Sequence, residues 1–179
     1  MAENGDFLDS HIESLLRSDH VELDGLLTDV FSALDSGQLD SVHRALDLFW
    51  ARLAMHIRAE HLRLFPAVLR VADERTEFSD VPDLIERLRH DHDFFMRELA
   101  RAIKITRESE YENNPLGTVR GILGTVQDGL AVHDRLEEER IYKLATPGLM
   151  PPETIRVLAA SIKTELDTLP PRFGSATEG

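Results

Sequence analysis

The chain has 179 residues, of which 20 are basic, 33 are acidic and none is cysteine. Its length suits one domain with its own core, and the lack of cysteine excludes disulfides, thiolate metal ligands and a cysteine nucleophile. A formal charge of −13 repels phosphate and anionic lipid, so neither nucleic acid nor a membrane is expected as a partner. No apolar run would span a bilayer and no secretory leader is recognised, so we expect a cytoplasmic protein.

Apolar residues recur at helical spacing along most of the chain, and the alternating pattern typical of β-strands is missing. The first predicted helix runs from about Leu8 to Leu34. The second runs from about Leu39 to Val71, and Pro66 is expected to kink or loosen its last turns. A charged loop over 72–80 separates it from a third helix, which runs from about Pro82 to Ser109.

A turn over 113–117 has helix-start chemistry and leads into a fourth predicted helix from about Leu116 to Ala145. A shorter amphipathic stretch from Pro152 to about Leu169 predicts a fifth helix. The pattern therefore predicts an all-α fold, an up-down-up-down four-helix bundle with an additional C-terminal helix. That helix either caps or flanks the bundle or helps to form a homodimer. The predicted domain covers residues 8–169, and the tail over 170–179 is expected to be disordered.

Polar residues interrupt all four long apolar stripes near their middles. Burying one such carboxylate costs several kcal/mol unless the group is paired or binds a cation. A set of them would cancel much of the net stability of a domain, which is roughly 5–15 kcal/mol. A bound metal cluster is the simplest compensation. The interrupting residues are His20, His56, Glu60, His92, His133 and Glu137.

The spacing of these residues supports a shared site. Glu60 and Glu137 each follow a histidine by four positions, which places the two side chains on one helix face with Cβ atoms about 5–6 Å apart. A carboxylate can also bridge two ions while imidazoles complete the coordination. An internal repeat adds weight, because Asp19-His20 parallels Asp91-His92, and the segment 56–65 parallels the segment 133–142.

These motifs resemble the hemerythrin-like, or HHE cation-binding, family over residues 18–144. The resemblance implies a carboxylate-bridged centre of two iron ions (Fe2+/Fe3+), for which manganese or zinc are substitutes. The oxygen-carrying members have a second histidine in the third helix, where this chain has Met96. The set of four histidines and two glutamates is more similar to the iron–sulfur-cluster repair proteins, although their cysteine-containing N-terminal domain is missing. The implied ligands are His20, His56, Glu60, His92, His133 and Glu137.

Further polar residues lie near the predicted ligands. His61 and Glu138 occupy equivalent repeat positions and are predicted to surround the metal ligands, although His61 could instead be an ordinary half-buried histidine. Tyr142 is expected either to pack in the core or to donate a hydrogen bond to a bound oxygen species. His90 points away from the stripe and is predicted to be solvated. The sequence also predicts surface positions for His11 and His43 and core positions for Phe49, Phe94 and Phe95.

Three functions fit this constellation. The first is a module that binds or senses oxygen, nitric oxide or peroxide at an open coordination position. The second is an enzyme that detoxifies peroxide or nitric oxide or oxidises ferrous ions, and the third is an iron store or donor for cluster repair. A ferritin-like oxidase is disfavoured, because no glutamate stands three residues before any of the eight histidines. The sequence does not decide whether the protein is an enzyme.

Overall fold

A computed structural model describes residues 11–108 and 113–168 of the protein. No strand occurs within these two ranges, which are helical along almost their whole length. The α-helices are α1 (His11–Ser36), α2 (Leu39–Ala59), α3 (Phe65–Asp73), α4 (Val81–Arg107), α5 (Pro115–Leu136) and α6 (Pro152–Leu166). Two π-helical turns, Glu60–Leu64 and Glu137–Ile141, and two short 3-10 segments, Thr76–Phe78 and Tyr142–Leu144, complete the regular structure.

Four helices form the bundle. Helix α1 packs on α2, α2 on α4, α4 on α5 and α5 on α1, so the predicted all-α, up-down-up-down four-helix bundle is confirmed. The additional helix α6 flanks the bundle against α1 and α2, and its apolar face belongs to the protein's own core. Its contribution to a dimer stays a prediction. The predicted tail and the first turn of the predicted first helix lie outside the described residues.

Local chemistry explains where two helices begin and end. Gly37 terminates α1 with a φ of +71°, a conformation that glycine adopts without strain. Asn114 begins α5, because its side chain accepts a hydrogen bond of 3.1 Å from the backbone N–H of Gly117. Pro115 then takes the first helical position, where its missing N–H has no intrahelical partner to lose.

The α-helical pitch changes at Glu60 and Glu137, whereas the sequence predicted a loosening only near Pro66 and an uninterrupted fourth helix. In each π-helical turn the backbone N–H five residues later bonds to the glutamate carbonyl, from Phe65 to Glu60 and from Tyr142 to Glu137. Pro66 accounts for part of the first turn, since it lacks the N–H that would continue the α-helix. The second turn contains no proline, so proline is not the shared cause. Both turns bring residues five apart onto one face.

The core consists of two apolar clusters with a polar layer between them. One cluster is formed by the first turns of α1, by α3, by the first turns of α4 and by α6. The other cluster fills the opposite end of the bundle. Of the three aromatic residues predicted to lie in the core, Phe49 and Phe95 are buried, whereas Phe94 is half-buried. The six predicted ligands form the polar layer. None of the described helices has both the length and the apolar character that crossing a membrane requires.

Candidate metal centre

The structure brings all six predicted ligands together in the centre of the bundle. The four imidazoles are 2–5% exposed, and the two carboxylates are fully buried. Their donor atoms form two groups. In each group, all the donor atoms lie within 4.8 Å of one another. Glu137 belongs to both groups, so the two groups share a carboxylate. The first group is His20, His56 and Glu137, and the second is Glu60, His92, His133 and Glu137.

Glu60 reaches from one pair of histidines to the other. Its Oε1 atom lies 3.4 Å from Nε2 of His56, and its Oε2 atom lies 3.4 Å from Nε2 of His92. Because His56 is on α2 and His92 is on α4, the two oxygens of one carboxylate face ligands from different helices.

Glu137 also lies between the two pairs of histidines. Its Oε1 atom lies 3.0 Å from Nε2 of His133 and 3.8 Å from Nε2 of His92. Its Oε2 atom faces the other way and lies 3.5 Å from Nε2 of His20. Each carboxylate therefore directs one oxygen toward the pair His20 and His56 and the other oxygen toward the pair His92 and His133.

The outer nitrogen of every ligand histidine is engaged, which fixes the orientation of each ring. Asp19 accepts a hydrogen bond of 2.9 Å from Nδ1 of His56, and Asp91 accepts one of 3.4 Å from Nδ1 of His133. His20 Nδ1 lies 3.1 Å from Glu138, and His92 Nδ1 lies 2.9 Å from Nε2 of His61. Such partners select the tautomer whose Nε2 is free to bind a metal ion, and here all four Nε2 atoms point inward.

Four buried atoms at the centre make no well-aligned hydrogen bond with the described residues, although they face one another in two close pairs: Glu137 Oε1 with His133 Nε2 at 3.0 Å and Glu60 Oε2 with His92 Nε2 at 3.4 Å. Unsatisfied buried polar atoms are rare because each costs about 1–3 kcal/mol. A cation coordinated by these atoms would satisfy them all. Imidazole nitrogen and carboxylate oxygen suit iron, manganese and zinc, so the residues present fit a metal centre.

Tyr142 is fully buried, and its hydroxyl group lies among the ligands rather than in an apolar environment. The hydroxyl donates to Oε1 of Glu60 at 2.9 Å or Oε2 of Glu137 at 3.1 Å, and it lies 3.0 Å from Nε2 of His20. The equivalent position in the repeat is Phe65, whose ring stacks on His92 at a centroid distance of 6.2 Å. The site is thus polar on one side and apolar on the other.

The two glutamates have opposite pKa shifts. Burial raises the pKa of Glu60, and the adjacent carboxylate of Glu137 raises it further. Burial would also raise the pKa of Glu137, but His133 and His20 outweigh it and hold that pKa well below its usual range. Repulsion between two buried carboxylates thus keeps one of them more readily protonated than the other.

The histidines facing these carboxylates also differ. Burial lowers the pKa of His92 to about 2, with help from the charges of His133 and His56. Burial acts in the same direction on His133, but the carboxylates of Glu137 and Glu60 outweigh it and raise the pKa of His133 to about 9. Without metal, the cluster therefore compensates its charges with protons, and a metal ion has to displace the proton held by His133.

Asp19, Asp91 and Arg52 also belong to the site, although no sequence motif predicted their roles. The two aspartates were visible in the repeated Asp-His pairs, but each bonds the histidine of the neighbouring helix rather than the histidine beside it. A residue one position before a ligand lies about 100° around the helix, which turns it toward the next helix. Arg52 precedes His56 by one turn, and no motif identified it.

The remaining histidines lie away from the centre. His90 has 73% of its side chain exposed, as predicted, and His92 is the histidine of α4 that lies buried in the cluster. His43 is half-buried rather than on the surface, because its Nδ1 atom lies 2.8 Å from the hydroxyl of Thr106 on α4. That surface prediction was wrong. The side chain of His11 lies outside the described residues.

A small cavity of about 10 Å³ touches all four ligand histidines. Such a volume is about the room that one water-sized molecule needs. A wider surface pocket between α1 and α5 also reaches His20, and Asp24 and Asp134 line both spaces. The cavity has an apolar wall formed by Leu23, Leu27, Phe49, Leu53 and Leu130.

Residues 11–145 match the hemerythrin HHE cation binding domain, and the chain therefore belongs to that family. The match spans the predicted region 18–144, so the family resemblance is confirmed. No curated protein and no solved structure matches the chain significantly. The family and the buried cluster of histidine and glutamate together define a metal-binding helical bundle.

Proposed function

We propose that the protein is a non-haem di-iron protein that binds or responds to oxygen, nitric oxide or peroxide inside the bundle. His20 and His56 would hold one iron ion, His92 and His133 would hold the other, and the carboxylates of Glu60 and Glu137 would each supply oxygen ligands. Manganese or zinc would fit the same donors.

The arrangement of the two carboxylates carries this proposal. Each directs one oxygen toward each histidine pair, as bridging between two ions requires. A single ion would leave one histidine pair and one oxygen of each carboxylate buried without a partner, which is costly. Iron, when bound, would supply a redox-active centre with room for an exogenous ligand.

The size of the inner cavity supports a very small ligand. Its volume of about 10 Å³ admits a water-sized molecule but no organic substrate. Leucine and phenylalanine side chains form one wall of the cavity and favour an uncharged ligand, whereas the four histidines, Asp24 and Asp134 offer polar contacts. Oxygen and nitric oxide suit the apolar wall, and hydrogen peroxide is uncharged and can use the polar contacts as well.

Turnover of peroxide or nitric oxide is the second candidate, and Tyr142 is the observation that favours it. Reduction of such ligands consumes electrons from the ferrous ions or an external reductant, and it consumes protons. The phenol of Tyr142 lies within 3.1 Å of both carboxylates, and burial together with Glu137 raises its pKa well above the usual value, so it stays protonated and can donate a hydrogen bond beside the ligand residues. A carrier that only binds its ligand consumes neither electrons nor protons. Storage or donation of iron would instead require ready release of the ions.

An experiment on anaerobically purified protein loaded with ferrous ions distinguishes ligand binding from turnover. The protein is exposed in turn to nitric oxide, oxygen and peroxide, while its optical spectrum and the consumption of each ligand are followed. Reversible spectral change without consumption supports binding or sensing, and sustained consumption supports an enzyme. A spectrum that none of the three ligands alters, with iron retained, would contradict the proposal.

A further inference from the structure

The last turn of α6 ends against the segment that carries His56 and Glu60. Glu165 on α6 is only 5% exposed, and its carboxylate lies 2.8 Å from Nε of Arg58 and accepts a hydrogen bond of 3.0 Å from Nε of Arg63. The two arginines flank Glu60 along the chain. Helix α6 begins after residue 145, where the family match ends, so this attachment is an addition to the family domain.

A second contact continues from α6 into the metal centre. Arg52 is 8% exposed and donates two hydrogen bonds of 2.7 Å, one to the carbonyl oxygen of Leu166 and one to Oδ1 of Asp19. Oδ2 of Asp19 accepts the hydrogen bond from Nδ1 of His56. Glu22, which is largely exposed, lies 3.2 Å from the same guanidinium group. A continuous set of buried bonds thus joins the end of α6 to a ligand histidine.

The planar guanidinium group of Arg52 couples the positions of its two hydrogen-bond partners. The guanidinium group is planar, so the bond to Leu166 and the bond to Asp19 orient one another. The carbonyl of Leu166 belongs to the last helical turn, where it has no partner within the helix. Arg52 therefore satisfies the end of α6 and fixes Asp19 at the same time.

Within residues 11–108 and 113–168, the other half of the repeat has no such connection. The hydrogen bond from His133 to Asp91 is longer, at 3.4 Å, and the side chain of Asp91 is 36% exposed. The position equivalent to Arg52, one turn before the histidine, is Gly129. A Cβ atom there would lie 2.7 Å from the ring of Phe95, so a side chain does not fit without rearrangement. Among the residues that the structure describes, buried hydrogen bonds join α6 to the His56 half of the centre and not to the His133 half.

We infer that Arg52 is a positioning residue through which the docking of α6 fixes the imidazole of His56, so that metal binding and α6 docking stabilise each other. The inference rests on the proposed function, because it requires that His56 binds a metal ion. If α6 leaves its site, Arg52 loses one anchor and Asp19 is held less firmly. By thermodynamic reciprocity, a bound metal ion that needs His56 in place must favour docked α6 to the same degree.

Metal affinity provides the first test. Zn2+ or Co2+ alone serves as the probe, in competition with a chromophoric chelator, for the full chain and three variants. Arg52→Gln should weaken binding by about 10- to 100-fold, as is usual when a residue that orients a metal ligand is lost. Glu165→Gln should weaken it by a smaller factor. Glu153→Gln is the matched control, since it changes an exposed pair with Arg156 in the first turn of α6, and it should have no effect.

Hydrogen exchange provides the second test. An arginine with a purely structural role would not make amide exchange in α6 depend on metal. In the unaltered chain, metal loading should slow amide exchange in the last turn of α6, and Arg52→Gln should abolish that difference. If Arg52→Gln does not fold, Glu165→Gln carries the test, because it leaves the Arg52 and Asp19 side chains in place. A chain that binds no metal would contradict the proposed function. Metal binding that is equal in the unaltered chain, Arg52→Gln and Glu165→Gln, or that leaves α6 exchange unchanged, would overturn this inference.

Discussion

The phenol oxygen of Tyr142 lies 3.1 Å from Oε2 of Glu137, although the two residues are five positions apart in the chain. In an α-helix, residues five apart point about 140° away from each other. The π-helical turn Glu137–Ile141 removes this difference and directs the hydroxyl into the ligand cluster. A local change of helical pitch is therefore what gives the centre its phenol.

We expect Tyr142→Phe to destabilise the metal-free protein while the metal content stays the same. The change leaves Glu60, Glu137 and His20 without the hydroxyl partner, and loss of a buried partner costs about 1–3 kcal/mol. Because 1 kcal/mol shifts Tm by about 2–4 °C in a chain of this length, thermal unfolding of chelated protein measures the effect. Loss of metal from the variant would show instead that the phenol itself is needed for binding.

Removal of a ligand should release metal. His56→Ala should empty or weaken the position shared with His20, whereas Glu137→Ala should affect both positions, because Glu137 faces both histidine pairs. Metal content per chain after desalting measures the loss. His90→Ala is the control, since that side chain is 73% exposed. Full metal content in either ligand variant would show that the assignment is wrong.

Metal-free protein should lose stability as pH rises above about 6.5, whereas metal-loaded protein should show no such loss from these histidines. The pKa of His133 is raised from 6.5 to about 9, and that of His56 is raised well above 6.5, so the folded chain holds protons that the unfolded chain releases. The metal-free protein should therefore lose stability as pH rises from about 6.5 toward 9. Metal binding competes with those protons, so its contribution should grow over the same range.

Thermal unfolding between pH 6.5 and 9, with and without chelator, measures this difference. Because chelator is the only variable at each pH, unrelated titrations contribute equally to both curves. Parallel curves would mean that metal does not displace protons from His133 and His56.

Filling the inner cavity should block the exogenous ligand without removing metal. Leu130 lines the cavity and is 8% exposed, so Leu130→Phe adds volume at a position where part of the strain can relax toward solvent. Overpacking costs about 1–3 kcal/mol, which the bundle should tolerate. We expect unchanged iron content and weaker or slower nitric oxide binding, followed optically. Unaltered binding would show that the ligand enters elsewhere.

The sequence was sufficient to predict the fold and the six clustered residues, because both follow from the spacing of residues along helices. Buried stripes at intervals of three and four define the bundle, and polar interruptions such as His56 and Glu60 stand out against them. The same logic identified His61 and Glu138 as neighbours of the ligands, through their equivalent places in the repeat.

The residues that the sequence did not reveal are those whose roles depend on contacts between helices. Asp19 and Arg52 act on His56 from a different helix and from the preceding turn, and the angle between helices decides whether they meet. The π-helical turns were also missed, since Glu137–Ile141 carries no proline or glycine to mark it. Tyr142 was therefore predicted either to pack in the core or to donate a hydrogen bond to a bound oxygen species, and its contacts with both carboxylates were not predicted.

The central claim is tested most directly by the iron content of anaerobically purified protein, together with its optical spectrum before and after exposure to air. The two groups of donor atoms predict two iron ions per chain and near-ultraviolet absorption typical of an oxidised di-iron centre. Protein that contains no iron, and that takes up none when ferrous ions are supplied, would contradict the account and leave the buried cluster as a polar network or as a site for another metal.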